Sequence, residues 1–117
     1  MILSALARSP SLSKITHFSC ESNPSWFSKG KESNCELLCL VIRGMKSLTH
    51  LNLYWIELSS EMCEQVVSAI VAQSQIPNSR LTHIDLYAAG MTRCSASAKQ
   101  DIADLKARGI EIEGCDF

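Results

Sequence analysis

Two histidines invite a chemical reading first. His50 and His83 occupy the same place in two near-identical segments, Leu48-Thr49-His50-Leu51-Asn52-Leu53-Tyr54 and Leu81-Thr82-His83-Ile84-Asp85-Leu86-Tyr87. Imidazoles beside carboxylates such as Asp85 and Glu111 are the donor set of a zinc centre. Yet these histidines recur because a unit is duplicated, and repeated positions on one sheet face project in parallel rather than converging. No metal site is therefore expected. Six cysteines, Cys20, Cys35, Cys39, Cys63, Cys94 and Cys115, form an even set that a disulfide framework would use. No CxxC pair occurs among them, however, and Cys35, Cys39 and Cys63 fall on apolar helix stripes. They read as reduced, small hydrophobes inside a cytoplasmic protein. No Cys–His pair, serine-centred elbow or glycine-rich phosphate loop is visible, so neither catalytic residues nor a cofactor are expected.

The elements that must hold these residues follow from periodicity. The duplicated segments start 33 residues apart, with apolar side chains at offsets 0, +3 and +5 and again at +10, Leu58 and Met91. In the same frame two weaker copies appear: Leu12, Ile15, His17 and Cys20 near the start, and Ala107, Ile110, Ile112, Cys115 and Phe117 at the end. Helix signals lie between. Ser33 to Glu36 has the form of a capping box ahead of Leu37 to Ile42, with Gly44 as a stop. Ser59 or Ser60 can cap a second helix carrying Met62, Cys63, Val66, Val67 and Ile70 at 3.6-residue spacing. Ser97 to Gln100 can open a third, with Ala98, Ile102 and Leu105 inward and Gly109 ending it. Met1 to Ala7 reads as the tail of another helix, stopped near Pro10, as in a chain that opens in mid-unit.

Strands alternating with helices fit a doubly wound α/β sheet as well, but its central strands would be apolar on both faces. Here Leu51-Asn52-Leu53, Ile84-Asp85-Leu86 and Ile110-Glu111-Ile112 alternate, leaving one face wet. The L-x-x-L-x-L frame with full helices between strands resembles the leucine-rich-repeat family, in its ribonuclease-inhibitor-like subclass. The family's usual Asn or Cys at +8 is met at Cys20 and Cys115, whereas Ile56 and Ala89 depart from it. The resemblance implies an α/β solenoid in one domain, residues 1–117, with units starting near 12, 48, 81 and 107 and an inserted loop over 19–34. About four short parallel strands would line its concave face and α-helices its convex face.

Such a fold implies protein–protein interaction through the concave face, without catalysis. Side-chain alternation then predicts three outward rows. These are Lys14, His50, His83 and Gly109; Thr16, Asn52, Asp85 and Glu111; and Phe18, Tyr54, Tyr87 and Glu113. The expected protein-binding residues are Phe18, His50, Asn52, Tyr54, His83, Asp85, Tyr87, Glu111 and Glu113. Leu51, Leu53, Ile84, Leu86, Ile110 and Ile112 should be buried. Trp26, Phe27 and Trp55 read mainly as covers for the core edge. A second reading has the same repeats sensing a ligand or selecting a substrate within a larger cytosolic immune receptor or ubiquitin-ligase receptor. A metal-binding protein or an enzyme is the distant third.

Composition sets the outer bounds. The 117 residues are 46 % hydrophobic and 20 % charged, the profile of an ordinary globular domain. A net charge of −1 lacks the basic excess of a nucleic-acid-binding module, and no stretch has the apolar length of a membrane span. Residues 1–46 carry six Lys/Arg against three Asp/Glu, and residues 47–117 five against nine, so any charge on a shared face grows acidic toward the C-terminus.

Overall fold

The computed structural model describes residues 2–20, 32–53, 58–86 and 94–114, with side chains from Ala5 onward. The order of elements is α1 (Ile2–Ala7), a 3₁₀ turn (Leu12–Lys14), β1 (His17–Ser19), α2 (Glu32–Gly44), β2 (His50–Asn52), α3 (Ser60–Ser74), β3 (His83–Asp85), α4 (Ala96–Ala107) and β4 (Glu111–Glu113). The chain is therefore α/β, with four strands in one parallel sheet in the order β1-β2-β3-β4. Every step along the sheet goes the same way, and parallel crossovers are right-handed. The two facts together place all the crossover helices on one side. There α1 packs on α2, α2 on α3 and α3 on α4.

Each helix exists because its apolar stripe has that sheet and its neighbours to cover it. From α2 come Leu38, Val41 and Ile42, from α3 Met62, Val66 and Ile70, and from α4 Ala98, Ile102 and Leu105. They meet Leu51, Leu53, Ile84 and Leu86 in one core. Burying an aliphatic side chain of this size stabilises the fold by about 1.5–3 kcal/mol. The expected burial of Ile110 and Ile112 is corrected to partial burial: both pack against the core, but among the described strands β4 lies at the edge with a neighbour on one side alone. Gln73 is buried too. Its amide donates to the Met45 carbonyl at 2.9 Å and accepts from the Ser79 hydroxyl at 3.2 Å, so α3 is tied to the turn after α2 with no polar group stranded.

The helix starts differ from expectation at two of three places. Ser59 caps α3, its hydroxyl accepting from the Met62 N–H at 3.3 Å. Ser95, not Ser97, caps α4, accepting from the Ala98 N–H at 3.1 Å, and Ser97 lies within the helix. Ser33 lies inside α2, which begins at Glu32, so the capping box is not formed there. Ser19 is in β1 and residues 32–34 are in α2, which narrows the proposed inserted loop. Gly44 ends α2 where a Cβ would meet the Leu12 side chain at 2.5 Å, and Gly109 ends α4 at φ +96°, a conformation that favours glycine. Among the described residues, no helix is long and apolar enough to cross a membrane.

Candidate functional site

The face of the sheet away from the helices is built by three threonine–histidine pairs. The register pairs His17 with His50 and His50 with His83, and Phe18 with Leu51 and Leu51 with Ile84. The first unit is thus Ile15-Thr16-His17-Phe18-Ser19-Cys20, a third copy of the duplicated segment, again 33 residues away. This shifts the expected frame of that unit by three residues. Phe18 is corrected from an outward binding residue to the inward position of its strand, half-buried against the core. Lys14 sits in the 3₁₀ turn and Gly109 in the turn after α4, outside the rows predicted for them. Thr16 joins a threonine row instead of the Asn52 row.

The frame of the last unit moves by two. Glu111 pairs with His83 and Glu113 with Asp85, so both face outward as expected but one row over. The observed rows are His17, His50, His83 and Glu111, and beside them Ser19, Asn52, Asp85 and Glu113. Together they border a depression of about 420 Å³. Tyr54 and Tyr87, and with them the expected aromatic stripe, lie outside the described residues, as do Trp26, Phe27, Trp55 and Cys115. A first unit starting at Leu12 hides His17 and Ser19. The repeated Thr16-His17 pair was the signal that would have found them.

The histidine row is a continuous stack. Ring centroids are 4.3 Å apart for His17 and His50 and 4.4 Å for His50 and His83, with interplanar angles of 7° and 5°. This spacing is the strand spacing of a sheet with one ring standing on each strand. The preceding threonines hold the rings. Thr16, Thr49 and Thr82 place Oγ1 at 3.0, 2.8 and 2.8 Å from the Nδ1 of His17, His50 and His83. Thr49 in turn donates its hydroxyl to the Thr16 carbonyl at 2.9 Å, and Thr82 its own to the Thr49 carbonyl at 3.2 Å. Each hydroxyl has one proton. Once it is given to the carbonyl, the ring contact is a hydrogen bond only if Nδ1 carries the proton. The network thereby selects the Nδ1–H form of His50 and leaves its Nε2 a bare acceptor.

At the acidic end His83 Nε2 lies 3.0 Å from a Glu111 carboxylate oxygen. The row thus ends with an imidazole against a carboxylate. His50 lies in the middle of the row. Desolvation first, then the neighbouring His17 and His83 rings, hold its pKa below the ordinary histidine value. The middle ring therefore takes up a proton less readily than an ordinary histidine.

The arrangement sets stacked imidazole faces beside a row of carboxylates. Among the described residues no three His, Cys, Asp or Glu side chains are placed to share a metal ion, since stacked rings point their nitrogens in parallel. The described cysteines, Cys20, Cys35, Cys39, Cys63 and Cys94, are buried in the core and form no disulfide with one another. Burial pushes the Cys20 thiol up to about 11. A thiol hydrogen bond between Cys35 and Cys39 raises the pKa of Cys35 and lowers that of Cys39, with Arg43 also favouring the Cys39 thiolate. Compared with known proteins, the chain matches no family model, no curated protein and no solved structure.

Proposed function

We propose that the chain is a leucine-rich-repeat solenoid of the ribonuclease-inhibitor-like subclass that acts without catalysis, docking a cytoplasmic protein partner on its open sheet face. The observation that carries this reading is the register of the three Thr-His units. They put like side chains in rows on a face that no described helix covers. A rigid sheet displaying ordered imidazoles and carboxylates loses little entropy when a partner settles on it, which is the condition for tight binding by a modest area. The acidic end, with Asp85, Glu111 and Glu113, disfavours a polyanion such as nucleic acid.

Affinity capture from a cell extract tests the reading. Immobilised wild-type chain is compared with two variants that circular dichroism shows to be folded. One is changed on the open face (His50→Ala with Asp85→Lys) and one on the helix layer (Glu36→Lys with Gln65→Lys). Proteins retained by wild type should be lost from the first variant and kept by the second. The reverse pattern would move the docking surface to the helices.

A further inference from the structure

We infer that the open face receives an arginine side chain of the partner, with His50 Nε2 accepting one of its N–H groups beside the carboxylates of β3 and β4. This rests on the docking-face reading and gives that face its chemistry. The starting point is the proton arrangement set by the threonines. Thr49 gives its only hydroxyl proton to Thr16, so His50 donates from Nδ1 and can only accept at Nε2. Among the described residues that Nε2 has no hydrogen-bond partner, and its ring borders the depression. Asp85, Glu111 and Glu113 border it too, and carboxylates are acceptors. Among the described residues no Lys or Arg lines it.

Carboxylates and the His50 acceptor beside a flat stack of rings fit a planar cation that donates. Guanidinium is that group: it has five N–H donors in a planar fork, no acceptor, and a flat face that lies against an aromatic ring. Ammonium shares the charge but offers neither the plane nor the fork. Acid should undo the fit. Protonating His50 turns its acceptor into a donor and adds positive charge between His17 and His83, on a face whose other charged groups are Asp85, Glu111 and Glu113.

The test uses the full chain and three blocked peptides of equal length, carrying arginine, lysine or glutamate. Imidazole nitrogen spectra report which nitrogen of each ring is protonated, and backbone amide spectra report which rings' residues or helices a peptide perturbs. The expected result is Nδ1–H at His50 and perturbation of the three rings by the arginine peptide. Its affinity should exceed that of the glutamate peptide by about tenfold or more, with lysine between, and fall between pH 7 and pH 5. Thr49→Val, which releases the proton arrangement, and Asp85→Asn, which removes charge alone, should each weaken arginine binding severalfold. An Nε2–H form at His50, glutamate binding at the same rings, or no peptide perturbing the rings would overturn the arginine inference and leave the docking face standing. Perturbation confined to α2 and α3 would overturn both.

Discussion

A proton on His50 costs more in the folded chain than in the unfolded one, because the ring is partly desolvated and flanked at 4.3 and 4.4 Å by two others. The sign of the pH effect follows. The unfolded chain binds its proton at the ordinary histidine value, the folded chain only at lower pH. As pH falls through that window the unfolded state takes up more protons and stability drops. Chemical denaturation at pH 7 and pH 5 should show this loss, and His50→Gln should reduce it. A His50→Gln variant with undiminished acid sensitivity would place the titrating group elsewhere. The thiols make a second prediction at this scale. Cys39, with its thiolate favoured by the Cys35 hydrogen bond and Arg43, should alkylate faster in the native protein than Cys20 or Cys35, as read by mass spectrometry of timed quenches. At the level of single residues, His50, Asn52, His83 and Asp85 were legible because the two copies around them agree at almost every position. Phe18 was not. Its strand satisfies an apolar 0, +3, +5 pattern from Leu12 and from Ile15 alike, and only the Thr16-His17 pair separates the two frames.

Among the elements, the strands are three residues long and contribute little alone, so helix caps and helix packing must keep them in register. Ser59→Ala and Ser95→Ala should each cost about 0.5–2 kcal/mol in denaturant unfolding, and Ser97→Ala much less, since Ser97 lies within α4 rather than at its cap. Glu64 adds to the α4 cap by accepting from the Ser95 N–H at 2.7 Å, and hydrogen bonds from the Ser95 side chain and then that N–H hold its carboxyl below the usual range. Helices were legible from stripes such as Met62, Val66 and Ile70, which have one period and no competing reading. Their starts were less so, because Ser33, Ser95 and Ser97 are equally good caps in sequence, and tertiary packing decides which one the chain turns at. At the sheet edge, Glu111 and Glu113 project from β4 and discourage pairing with another chain. Replacing both with valine should raise the association seen by light scattering. A double variant that scatters like wild type would show that the edge is protected by something else.

Across the whole molecule, one layer of helices and one sheet share a single core, so a cavity opened in the sheet is felt everywhere. Leu53→Ala and Leu86→Ala, both fully buried, should each cost about 2–5 kcal/mol, a large part of a small domain's stability. The α/β class and the parallel strand order were legible because strand and helix periods alternate along the chain. The stacking of the histidines was legible only in outline. It depends on the spacing between strands and on threonine hydroxyl geometry, which no sequence pattern encodes directly. The central claim, that the open face is where a partner docks, has a direct probe. The chain has three histidines, and all three stand on that face. Diethyl pyrocarbonate labelling of the chain, free and with proteins captured from extract, therefore reports on that face through every histidine signal. The account predicts that labelling of His17, His50 and His83 falls on capture while lysine labelling at Lys46 and Lys99 is unchanged. Histidines as reactive as in the free chain, with those lysines protected, would contradict it.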